Sequence, residues 1–122
     1  MAVKLEKYNL QIQQGSDLRF AFRVKGVDGL PEDLTGRTFR GQIRAAYGAG
    51  DVLATFNLTI RDQITNKGEV DVHLPNTALP QSTLNLTNKA IFVYDIEMVY
   101  STGDISKVLK GNAEVFPEVT LV

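Results

Sequence analysis

The sequence predicts an all-β chain, an antiparallel β-sandwich of about seven strands with at most one short helical turn. Three observations predict it. Apolar and polar residues alternate with a period of two in segment after segment, which is the beat of half-buried strands. Clusters of Gly, Asn, Asp and Pro punctuate those segments at spacings of roughly 10 to 18 residues. No segment carries a helical period long enough to stand as a substantial helix. At 122 residues, 43% hydrophobic and 22% charged, the chain reads as one domain, residues 1–122, with a single core.

The first strand centres on Leu10 and Ile12, which alternate with Asn9, Gln11 and Gln13; Gly15-Ser16-Asp17 breaks it with turn residues. In the second, Leu18, Phe20, Phe22 and Val24 face one way, and Arg19, Ala21, Arg23 and Lys25 the other. That pattern suits a sheet with one face on the core and one in water. The stretch VDGLPEDLTG, Val27 to Gly36, is a loop, with Leu34 expected to tuck inward as an isolated plug. Strand three is TFRGQIR, with Phe39, Gly41 and Ile43 inward; a glycine there asks for a large neighbour close to the backbone. AAYGAGD, Ala45 to Asp51, reads as a flexible connection, and strand four as one run from about Val52 to Ile60.

Asn66-Lys67-Gly68 suits a hairpin loop with its glycine in the left-handed region. Strand five follows with Val70, Val72 and Leu74 in, Glu69, Asp71 and His73 out, and Pro75 as its stop. Residues Asn76 to Asn88 lose the beat and leave room for one helical turn. Strand six, AIFVYDIEMVY, sets Phe92, Tyr94, Ile96, Met98 and Tyr100 on one face and Ile91, Val93, Asp95, Glu97 and Val99 on the other. Its apolar content predicts a central position, partly covered on both sides. Ser101 to Asp104 form a turn, strand seven runs from Ile105 to Phe116, and Pro117 ends it before the tail EVTLV.

Charge and composition narrow the function classes. A net charge of −1 with scattered Lys and Arg argues against nucleic acid as the main partner, because phosphate binding draws on clustered basic residues. With no cysteine, disulfides, thiolate chemistry and Cys-ligated zinc drop out. MAVKLEKYNLQ lacks the apolar run of a signal peptide, and no segment approaches the roughly 20 apolar residues that span a bilayer. The expectation is a soluble chain made in a cytoplasm, with no membrane partner. Gly48-Ala49-Gly50 is loop material and not a phosphate-binding loop.

Three groups carry side chains capable of chemistry. His73, flanked by Asp71 and Glu69, would make a metal or acid–base site only with further ligands, and one imidazole without a second nitrogen or a thiolate is poor zinc chemistry. Asp95 and Glu97 point the same way from strand six; ion pairing with Arg40, Arg44 or Lys107 on neighbouring strands is expected in preference to a calcium or glycosidase site. Arg19, Arg23, Arg37, Arg40 and Arg44, with Lys25, would form a basic stripe for an acidic partner if their strands lie in one region. No catalytic, cofactor-binding or metal-ligating residue is assigned, and no cofactor.

Read in succession, QQGSDLRFAFRV, DGLPEDLTGRTFRGQIRA and YDIEMVYSTGDISKVLKGNAEVFPEVT resemble a family of small all-β modules in virion structural proteins of tailed bacteriophages. The matching positions are Gln14-Gly15, Asp33-Leu34-Thr35-Gly36, Gln42-Ile43-Arg44, Tyr94-Asp95-Ile96-Glu97, Leu109, Gly111 and Pro117-Glu118-Val119-Thr120. They cover almost the whole chain in the expected order, with Arg37 standing where the family phrase has an aromatic residue. Each phrase also has a physical reading. Asp33 and Thr35 bond nearby backbone and Gly36 accepts a left-handed conformation, making a corner. Tyr94 buries its ring and sends its hydroxyl to a backbone partner. Gly111 admits a close neighbour or a bulge.

The resemblance implies a non-enzymatic assembly role and supplies no site residues to carry over. The expectation is an immunoglobulin-like sandwich that docks into a virion at the tail or baseplate, assembled in the host bacterial cytoplasm. Its partners are other virion proteins, and a cyclic homo-oligomer fits docking around a tail axis. Edge strands and the terminal segments AVKLEKYN and PEVTLV are the first candidates for contact. The alternatives are a carbohydrate- or receptor-binding module of a tail fibre, a head or neck decoration protein, and a small hydrolase using Asp71 and His73. The binding module expects Tyr47 and Tyr100 clustered at one loop end; the hydrolase expects a concave pocket at strand five.

Overall fold

A computed structural model describes residues 3–119. They run as β1 (Glu6–Lys7), β2 (Leu10–Gln13), β3 (Leu18–Arg23), β4 (Thr38–Ala46), β5 (Ala49–Thr55), β6 (Asn57–Ile60), β7 (Glu69–Leu74), β8 (Ala90–Val99) and β9 (Ile105–Phe116). There is no helix among the described residues. One sheet has the order β1-β9-β8-β4-β5, with β2 also on β9; the other has the order β3-β7-β6. Both feed a single core in which Ile12, Leu34, Ile43, Val70, Tyr94 and Ile96 are buried. The chain is therefore all-β with two packed sheets. Tail residues 120–122 lie outside the described residues.

Three expectations need correction. The sheet is not wholly antiparallel: β1 and β2 run parallel to β9, pairing Glu6 with Leu109 and Leu10 with Ala113. Alternation marks a strand but carries nothing about the direction of its neighbour. The connection at Ala45–Asp51 is a tight hairpin, Ala46 pairing with Ala49 across Tyr47-Gly48, where Gly48 has φ +69°. Strand four is two strands in different sheets, β5 on β4 and β6 on β7. Between them Phe56 donates its N–H to the Gly41 carbonyl at 3.0 Å. Ala54, Phe56, Leu58 and Ile60 all face the core, so the side-chain rhythm survives while the backbone changes sheets, as at the corner of a sandwich.

Other expectations hold. Leu34 is fully buried. A Cβ on Gly41 would sit 2.8 Å from Ile96 Cγ1 and 3.2 Å from the Phe56 ring, and that ring packs edge-on against Tyr94 at 5.7 Å. β8 is central between β4 and β9. Between Pro75 and Lys89 the chain makes turns, with one helical turn where Leu84 N–H donates to the Pro80 carbonyl at 2.8 Å. Opposite β8, the register slips from Ile96↔Leu109 to Glu97↔Lys107. The extra residue, Val108, lets both Val108 and Leu109 bury, and places Lys107 beside the outward carboxylates.

Candidate functional site

Chemistry-bearing side chains gather on two outer sheet faces and along the N-terminal edge. On the large sheet, the pairings Arg40↔Glu97↔Lys107 make one cross-strand row. Glu97 accepts hydrogen bonds from both cations, and Lys107 Nζ also reaches Asp95 at 3.2 Å. The expected pairing of these carboxylates with Arg40 and Lys107 is thus present. Lys107 holds the Glu97 carboxyl below the ordinary glutamate range, with Arg40 assisting against partial burial. Glu97 in turn raises Lys107. Toward the β4–β5 hairpin the face dips into a concavity of about 440 Å³, bordered by Gln42, Arg44, Tyr47, Thr55 and Asp95.

The small sheet carries its own network. Glu69 bridges Arg23 at 2.7 Å and Arg61 at 3.0 Å, and Arg61 reaches Asp71 at 2.6 Å. Arg61 lowers the Asp71 pKa through a direct hydrogen bond. His73 points the same way from β7 but meets a different group, Asp17, at 3.7 Å. Asp71 and His73 therefore serve separate partners, and neither lines that concavity or a second one, of about 390 Å³, between Leu10–Gln11 and Leu18–Phe20. Among the described residues no cluster of three or more His, Asp or Glu is arranged to hold a metal ion.

The basic stripe does not form as a unit. Arg19 and Arg23 lie on β3 in the small sheet, whereas Arg40 and Arg44 lie on β4 in the large one. Arg23 is engaged by Glu69 and Arg40 by Glu97. Arg37 is half-buried, 3.6 Å from Glu32 and 4.8 Å above the Tyr100 ring. Tyr47 and Tyr100 also separate: Thr38↔Val99 and Ala46↔Ala49 mark the two ends of β4, with Tyr100 beyond one and Tyr47 beyond the other.

The phrases singled out in the sequence converge on framing contacts. Asp33 Oδ1 accepts from the Thr35 N–H at 3.0 Å and hydroxyl at 2.7 Å, and Gly36 follows at φ +79°. The Thr35 hydroxyl keeps Asp33 below the usual aspartate range. Gln14, buried, donates to the Leu84 carbonyl at 2.7 Å and accepts from Glu118 N–H at 3.4 Å. Tyr94 donates its hydroxyl to the Tyr8 carbonyl at 2.5 Å, and burial pushes its pKa well above the phenol range. That carbonyl lies 2.1 Å from where a Gly111 Cβ would be, so Gly111 answers to a close neighbour. Asn112 N–H, which the turned carbonyl leaves free, donates to Asn9 Oδ1 at 3.0 Å.

No protein-family model matches the chain, and no curated protein matches it.

One framing residue escaped the sequence reading. Gln63 Oε1 accepts from Leu34 N–H at 3.0 Å and Gly68 N–H at 2.9 Å, and its Nε2 donates to the Arg61 carbonyl at 2.7 Å. It ties the β6–β7 loop to the Asp33–Gly36 corner. The only available signal was a lone polar residue beside turn formers, which is common in loops.

Proposed function

We propose that the chain is a non-enzymatic structural module of a tailed-bacteriophage virion, an assembly or docking unit of the tail or baseplate. The observation that carries this reading is the use made of the shared phrases. Gln14, Asp33, Thr35, Tyr94, Gly111 and Glu118 are spent on corners, on close backbone contacts and on holding the first strand to the last. A frame of that kind keeps edges and loops in fixed positions for other proteins to meet. Arg40, Lys107, Asp95 and Glu97 on one outer face and Arg23, Arg61, Glu69 and Asp71 on the other neutralise one another in rows, which favours contact through edges and loop ends over a field aimed at one charged partner.

Mass spectrometry of purified particles, with crosslinking, tests it. The chain should be present and crosslinked to tail or baseplate proteins; absence from mature particles overturns the reading. A second reading, a receptor- or carbohydrate-contacting module, is favoured by one observation. Tyr47, 61% exposed, stands at the rim of the concavity beside Arg44 and Gln42, and an aromatic next to planar polar groups suits a sugar ring. Loss of particle adsorption in Tyr47→Ala supports it; unchanged adsorption removes it.

A further inference from the structure

We propose that His73 and Asp17 form a proton-operated latch, which closes when His73 is protonated and fixes the β2–β3 turn to the end of β7. The latch is a property of the fold and stands apart from the docking role.

The Gly15-Ser16-Asp17 turn carries the chain from the large sheet to the small one. One carboxylate oxygen of Asp17 is in use there: Oδ1 accepts the Asn76 N–H at 2.6 Å. The other, Oδ2, stands 3.7 Å from His73 Nε2. That nitrogen is shielded from solvent and has no hydrogen-bond partner. A buried polar atom left without a partner is costly, and 3.7 Å is too long for a hydrogen bond.

A proton on the imidazole makes both ring nitrogens donors and sets a positive charge before the carboxylate. The pair then closes to a charge-assisted hydrogen bond, and Asp17 holds the end of β7 through both oxygens. With a neutral imidazole, the Asn76 contact acts alone. The same turn begins at Gln14, which donates to the Leu84 carbonyl at 2.7 Å and accepts from Glu118 N–H at 3.4 Å. Closing the latch therefore steadies the turn that also anchors the β7–β8 loop and the chain beyond β9.

The surrounding charges single out Asp17 as the partner. Arg19 lies directly opposite His73 on β3 and, as a like charge, works against closure. Asn57, opposite on β6, is uncharged. Along β7, Asp71 is held by Arg61 at 2.6 Å. The segment from Pro75 to Asn88 has no charged side chain. Glu118 reaches the turn at Gly15, where a Cβ would sit 2.1 Å from its Oε2, and its negative charge lies on the Asp17 side. His73 is the only histidine in the chain, so no other imidazole changes charge between about pH 5 and about pH 8.

Amide exchange followed by NMR on the full chain tests this. Protection of the Asn76 amide, corrected for intrinsic exchange, should rise about two- to fivefold from about pH 8 to about pH 5.5, the scale of a partly exposed ion pair. Asp17→Asn keeps an oxygen for the Asn76 N–H and removes the charge, so the amide should stay protected while the pH step vanishes. His73→Gln should remove the step as well, and Arg19→Gln should enlarge it. A parent without the step overturns the proposal. So does a step that survives in Asp17→Asn or His73→Gln, or one that shrinks in Arg19→Gln.

Discussion

At the scale of single residues, the fold is fastened where the chain between β1 and β2 runs beside the last strand. The Tyr8 carbonyl occupies the space that any side chain at position 111 would need. Gly111→Ala must push backbone against backbone, and a loss of about 2–3 kcal/mol is expected in urea unfolding. Tyr94→Phe keeps the ring packing but leaves that carbonyl without its donor, a loss of about 1–2 kcal/mol. Glu97 links acid stability to the charge row. Its carboxyl is held below the ordinary range by Lys107 and Arg40, so the unfolded state binds its proton first as pH falls. The contribution is complete above the unfolded glutamate pKa of about 4.3 and is lost as pH drops through the lower folded value. Urea midpoints between about pH 6 and about pH 3 should fall in the parent, and less steeply in Glu97→Gln.

At the scale of elements, Phe56 joins the sheets. It bonds the Gly41 carbonyl as the chain leaves β5 and packs on Tyr94 before β6 begins. Phe56→Ala removes the ring that fills the space over Gly41, and a loss of about 3–5 kcal/mol is expected by thermal or chemical unfolding. This corner also shows what the sequence could and could not reveal. The alternation through Ala54, Phe56, Leu58 and Ile60 correctly gave the buried face, because the period reports which side of the chain meets the core. It was blind to which sheet supplied the hydrogen bonds, so two strands read as one. The same blindness hid the parallel pairing of Leu10 with Ala113. The glycines of AAYGAG suggested flexibility, yet Gly48 instead closes a two-residue turn. Of the groups weighed for chemistry, Asp95 and Glu97 were legible because their cationic partners sit on expected neighbours. The separation of Arg19 and Arg23 from Arg40 and Arg44 depended on strand order, which local pattern does not encode.

At the scale of the whole molecule, the large sheet is completed by pairing the beginning of the described chain with its end. A variant lacking residues 1–13 would bare the β9 edge along Leu109–Phe116 and lose the buried Leu10 and Ile12. It should aggregate at concentrations where the parent's apparent mass stays constant, as measured by static light scattering.

The direction of that pairing has a mechanical consequence. Glu6 and Phe116 lie at opposite ends of the parallel pair, so a pull applied there drags the two strands lengthwise past each other and strains every rung between them together. Lys89 and Glu118 flank the same end of the antiparallel β8–β9 pair, where Ala90 faces Val115, and a pull there peels rungs one after another. Stretched in an optical trap, the domain should hold to a distinctly higher force through handles at Lys4 and Glu118 than through handles at Lys89 and Glu118. A part built this way bears load along the axis of its outermost strand.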